Sequence, residues 1–175
     1  MSGYFHALEK RGRMPNLNDP QFDDIREGEG FEALRARLGR QAGAERLGMS
    51  LWEVPPGTAA YPYHWHMVEE EMVIVLEGRP SLRGPEGGWR ELEPGEVVSF
   101  PTGEEGAHQL WNRGDSTVRF LSFSSTTNDP EICFYPDSGK VGIWAQELHE
   151  LHLRENAVDY WDGEEPPATA GSSSA

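Results

Sequence analysis

Turn signals recur roughly every eight to twelve residues through the middle of this chain, and Pro55-Pro56-Gly57, the PEGG run at 85–88 and Pro94-Gly95 mark them. Segments that short leave no room for helical spacers between strands. They restrict the fold to antiparallel pairing, and so to an all-β sandwich or barrel. Strands are expected at residues 49–54, 72–76, 79–83, 89–92, 97–100 and 118–124. In the second of these Val73 and Val75 share one face, while Met72, Ile74 and Leu76 share the other. Both faces are apolar, so a second layer must cover the outer one.

The flanks are less regular. Residues 31–48 carry a helical spacing of Phe31, Leu34 and Leu38, yet Gly39, Gly43 and Gly48 punctuate them at hairpin-like intervals. A strand, hairpin and strand is the expectation there, with a short helix as the alternative. Ile132, Phe134, Trp144, Tyr160 and Trp161 are too many large apolar groups for a free tail, so residues 126–164 are expected to pack on the barrel as an arm. The expected organisation is an N-terminal arm with the first strands (1–44), a barrel (45–125), the C-terminal arm (126–164) and a flexible tail (165–175). With 175 residues, one core of this kind is affordable.

A formal charge of −15 argues against nucleic acid or an anionic membrane as partner, since both need Lys and Arg to displace counterions. Cys133 is the single cysteine, which excludes an intrachain disulfide and a Cys-based zinc site and leaves the thiol without an evident activating partner. The opening MSGYFHALEKRGRMP lacks the apolar run of a secretory signal, and no apolar stretch is long enough to span a bilayer. A cytoplasmic protein is expected.

The chemistry concentrates in two places. His64 and His66 lie two apart, hence on one strand face, with Glu71 following and His108 downstream. Neutral imidazoles and a carboxylate suit a divalent transition metal. His149 and His152 are spaced by one helical turn, but no metalloprotease pattern accompanies them, and a solvated or capping role is expected.

These residues resemble the two signature motifs of the cupin superfamily, in the form of a small single-domain bacterial cupin. His64-Trp65-His66, the glutamate after four intervening residues and Gly78 fit the first motif, with Gly57 displaced by one position. Gly95, Pro101, Gly103, His108 and Asn112 fit the second, apart from two extra residues between Gly103 and His108. The resemblance implies a double-stranded β-helix, or jelly-roll, barrel with one divalent metal ion inside. It makes His64, His66, Glu71 and His108 the ligands; Glu70 competes with Glu71, which is preferred for its spacing to Gly78. Iron(II) is the first expectation and manganese the second, with zinc, nickel or copper open.

Three imidazoles and one carboxylate leave about one positive charge on such an ion, which favours a small anionic or oxygen-chelating ligand. The function expected is a metal-dependent, dioxygenase-type enzyme. An isomerase or lyase, or a non-catalytic binding or sensing cupin, is the alternative. Tyr61 and Tyr63 are expected at the barrel mouth and Asn112 as a turn anchor; Arg83 is a candidate carboxylate-binding guanidinium, with a surface Arg near a turn as the alternative. The apolar strand face of Met72, Ile74 and Leu76, with Phe134, Trp144 and Trp161 in the arm, suggests a homodimer.

Overall fold

The computed structural model describes residues 14–125, 130–145 and 147–165. The tail expected at 165–175 lies outside these residues except for Glu165. Strands dominate: β1 (Asp24–Gly28), β2 (Phe31–Ala36), β3 (Leu47–Val54), β4 (Trp65–His66), β5 (Glu71–Glu77), β6 (Ser81–Arg83), β7 (Trp89–Glu91), β8 (Val97–Phe100), β9 (Gln109–Trp111), β10 (Val118–Ser125), β11 (Glu131–Tyr135), β12 (Lys140–Ala145) and β13 (Leu148–Leu153). One short helix, α1 (Leu38–Ala42), separates β2 from β3.

Six strands form the larger sheet in the order β1-β2-β3-β10-β5-β8. Opposite it lie the sheets β13-β12-β11-β4 and β7-β6-β9, and all the strand pairs are antiparallel. The bridge between His64 and His108 ties the two smaller sheets together on the inner side. The result is a jelly-roll barrel.

The period-two pattern of the strands decides what fills it. Val73 and Val75 from β5 meet Trp52, Phe120, Val118, Leu92 and Leu110 in the buried interior. Phe120 is fully buried and stacks on Trp52 with ring centroids 5.8 Å apart. The outer face of β5 is covered as well: Ile74 and Leu76 pack with Leu17 and Phe22 of the N-terminal arm and with Leu38, Leu51 and Leu121. The arm is therefore a structural layer, while Met72 stays 40% exposed.

Between β2 and β3 the expected hairpin is replaced by α1, for two physical reasons. Gly39 sits so close to β3 that a Cβ there would meet the Leu47 carbonyl oxygen at 2.8 Å. Gly43 takes the left-handed conformation, φ 80°, that closes a helix C-terminus, and its N–H donates to the Arg40 carbonyl. Of the three glycines that looked like hairpin punctuation, Gly39 is a close-approach residue, Gly43 a helix cap, and Gly48 lies within β3.

The C-terminal segment docks through β11 onto β4, where Phe134 stacks on Trp65 at 4.1 Å. Tyr160 and Trp161, expected to pack, are instead 82% and 72% exposed. His149 and His152 are corrected too: they lie on β13, a strand, where a separation of three puts them on opposite faces rather than on one helical turn. No helix among the described residues is long and apolar enough to cross a membrane.

Candidate metal centre

The strand that opens the site is only two residues long, yet it is pinned from both sides. His64 exchanges two backbone hydrogen bonds with His108, N to O at 3.1 and 2.9 Å, and Cys133 pairs with His66 across β4–β11. The two extra residues before His108 are absorbed by a 3₁₀ turn at Glu104–Gly106. Gly106 makes that turn feasible, because a Cβ there would collide with the Pro101 carbonyl. His108 consequently stays opposite His64.

The four expected ligands converge. Glu71 Oε2 lies 3.2 Å from His66 Nε2 and 3.4 Å from His108 Nε2. The His64 ring centroid is 4.9 Å from that of His66 and 4.8 Å from that of His108. Glu71, not Glu70, faces the cluster: Glu70 is exposed and its N–H donates to Ser125 Oγ.

Each ring has its Nδ1 engaged from behind. His64 Nδ1 lies 2.9 Å from the Pro62 carbonyl and His108 Nδ1 2.9 Å from the Gly106 carbonyl. A carbonyl can only accept, so both rings carry hydrogen on Nδ1 and present a bare Nε2. His66 Nδ1 faces Cys133 Sγ at 3.2 Å and Glu131 Oε1 at 3.4 Å, and its buried Nε2 has the Glu71 carboxylate beside it. His64, Glu71 and His108 form a tight group of ligand atoms, and His66, which also groups with Glu131 and Cys133, reaches Glu71 through Nε2; together they make a donor set that fits a divalent transition metal.

The electrostatics divide the three rings. Burial, together with His108 and His66, brings the His64 pKa down to about 3, and burial also lowers that of His108. Burial opposes charge on His66 as well, but Cys133, Glu131 and Glu71 outweigh it and hold the ring well above the usual histidine range. Burial by itself would raise Glu71; hydrogen bonding and charge from His66, with the other two imidazoles, depress it instead.

The other expected pocket residues divide. Tyr61 is not at the mouth but buried inside, edge-on to His64 and His108 at 5.0 and 5.6 Å. Tyr63 lies away from the cluster, where its hydroxyl donates to the Gly84 carbonyl at 3.3 Å. Arg83 is also outside the cluster: it stacks over Tyr63 at 4.0 Å and clamps Asp137 with two hydrogen bonds of 2.6 and 2.9 Å. It fastens the C-terminal arm. Asn112 anchors a turn, donating to the Val54 and Ser116 carbonyls and accepting from the Gly114 N–H.

Several residues around the ligands carried no signal in the motifs. Glu131 accepts from the backbone N–H of Met67 and Glu69 at 3.0 and 2.7 Å while facing His66, and Cys133, which has no evident partner in sequence, touches the same ring. Phe100 stacks on His108 with centroids 3.7 Å apart. The cavity in front of the ligands measures about 370 Å³ and includes Arg26, Arg35, Trp52, Tyr61 and Tyr135 in its lining.

Residues 50–124 match the cupin domain family. This part of the chain is a cupin domain. No curated protein matches the sequence. Among solved structures, the chain is similar to a protein described as a candidate sugar phosphate isomerase from Acidithiobacillus ferrooxidans, with 26% identity, TM-score 0.68, and 74% of this chain and 81% of that one covered. A cupin described as a sugar phosphate isomerase from Silicibacter pomeroyi superposes with TM-score 0.73 at 24% identity, over 85% of this chain and 97% of that one. The polyketide cyclase RemF from Streptomyces resistomycificus gives 29% identity and TM-score 0.57, over 68% and 82%.

Proposed function

We propose that His64, His66, Glu71 and His108 hold one divalent transition metal ion, iron(II) or manganese(II), and that this cupin is a metal-dependent enzyme acting on a small anionic, oxygen-chelating molecule. The observation that carries the proposal is the common arrangement of the imidazoles: Nδ1 is engaged from behind in all three, the Nε2 atoms of His66 and His108 face Glu71, and His64 groups with Glu71 and His108. When bound, such an ion supplies Lewis-acid polarisation of a substrate oxygen or redox chemistry with dioxygen.

The chain's own groups define the rest of the task. Tyr61 closes one wall, and burial raises its pKa well above the ordinary value, with the Glu71 charge adding to the effect, so its hydroxyl keeps its proton as a donor inside the cavity. Phe100 stacks on the His108 ring and Tyr61 meets it edge-on, and the imidazole is buried from water. Glu71 sets the net charge of the ligand set, and so the preference for an anion.

Redox-neutral chemistry, an isomerisation or a lyase reaction, is the first reading, supported by the isomerase and cyclase names of two structural relatives above 25% identity. Dioxygenase chemistry is the second. It is supported by the compact group of His64, Glu71 and His108, two histidines and one carboxylate, the set that non-haem iron oxygenases use. The test incubates iron- and manganese-loaded protein with hydroxy-ketones, sugar phosphates, organic acids and catechols while product mass and oxygen uptake are followed together. A product without oxygen uptake supports the first reading, and uptake in step with product supports the second. Saturable binding with no product from any of them overturns the enzyme and leaves a binding protein.

A further inference from the structure

The cavity has a second polar end, built by strands that precede the matched cupin domain. Arg35 on β2 pairs directly with Trp52 on β3, and its guanidinium lies 4.9 Å from the centroid of that indole. Arg26 on β1 places its own guanidinium 4.8 Å from the same ring. Trp52 is a fixed shelf: its Nε1 donates to Ser122 Oγ at 2.9 Å, and it is stacked on Phe120 and edge-on to Tyr61. Arg35 is oriented further by its Nε bond to Ser50 Oγ at 2.9 Å.

The charges at this end do not balance. Asp24 is the one carboxylate within ion-pairing distance of either arginine among the described residues, 3.4 Å from Arg26 and 3.7 Å from Arg35. Two cations share one anion. Burial, followed by the charge of Arg26, pulls the pKa of Arg35 down to about 10, with Asp24 and Glu71 acting against it. Arg37, which also borders the cavity, is already engaged by the Asp23 carboxylate and carbonyl.

We propose that Arg26 and Arg35, stacked on Trp52, form an anion subsite that binds a terminal carboxylate or phosphate of the substrate while its other oxygens face the histidine cluster. This rests on the metal-dependent reading of the same cavity and deepens it. The substrate class is a small molecule with an oxygen-chelating end and a separate anionic end. Planar guanidinium groups held on an aromatic face suit such oxyanions because they can donate two parallel hydrogen bonds.

Metal-free protein separates the two claims, since the arginines need no ion. Inorganic phosphate and malonate are titrated by calorimetry into chelator-treated wild type, Arg35→Gln and Arg26→Gln, with circular dichroism confirming the fold. Wild type is expected to bind at least one probe saturably, and each variant to bind it roughly 10-fold more weakly or worse, the loss of one charge-assisted hydrogen bond. Preference for phosphate over malonate, or the reverse, identifies the anionic group. Arg26→Gln, on the more exposed arginine, keeps the test intact should Arg35→Gln fail to fold. Wild type that binds neither probe, or folded variants that bind as wild type does, overturn the subsite even if the histidines hold metal. Anion binding in a protein that takes up no metal overturns the metal reading alone.

Discussion

Glu131→Gln probes how the C-terminal arm supports the metal centre. The Glu131 carboxylate is buried and accepts two backbone N–H groups, from Met67 at 3.0 Å and Glu69 at 2.7 Å, while its Oε1 faces His66 Nδ1 at 3.4 Å. Glutamine keeps the size but replaces one acceptor oxygen with a donor. An N–H then faces either a backbone N–H or the His66 Nδ1–H, and one buried donor goes unsatisfied. Losing a charged hydrogen bond of this kind costs about 1.5–3 kcal/mol, which in a domain of this size lowers Tm by about 3–12 °C. The imidazole also loses the partner that fixes its tautomer, so metal affinity is expected to fall by about 10–100-fold. Differential scanning calorimetry on metal-free protein reads the first effect, and chelator competition reads the second. A variant with wild-type Tm and wild-type metal affinity refutes the claim that this residue orients His66.

Phe100→Ala removes the ring stacked on His108 and a buried side chain, at a cost of about 3–5 kcal/mol in chemical denaturation; a change under about 1 kcal/mol contradicts the packing described here. Arg83→Ala is expected to leave metal affinity unchanged while loosening the arm at Asp137, which limited proteolysis between the barrel and β11 detects; a drop in metal affinity instead places Arg83 back among the site residues.

The barrel was legible because antiparallel strands are local in sequence and their turns are written in Pro and Gly. The strand at 97–100 coincides with β8, and those at 49–54, 72–76 and 118–124 lie inside β3, β5 and β10. The candidate ligands were legible for a related reason: His64 and His66 share a face by alternation, and Glu71 and His108 sit at fixed spacings in a turn frame. The supporting residues were not, because they arrive through pairing between distant segments. Cys133 reaches His66 only through the register of β11 on β4, and Arg35 reaches Trp52 only through that of β2 on β3. Nothing in EICFYPD or FEALRA announces those partners. Arg83 misled because proximity in sequence to the motif said nothing of Asp137, 54 residues away, which takes a hydrogen bond from each of its terminal nitrogens. His149 and His152 misled because a spacing of three was matched to a helix in a segment that forms a strand.

The central claim is that three Nε2 atoms and the Glu71 carboxylate hold a metal ion. Inductively coupled plasma mass spectrometry on protein purified without added metal, run beside His64→Ala, His108→Ala and Glu71→Gln, tests it most directly. About one equivalent of iron or manganese per chain is expected in wild type, with metal content reduced sharply in each variant while circular dichroism still shows the folded barrel. Wild-type protein that neither contains nor takes up a divalent metal, or folded variants that retain it fully, would contradict the account.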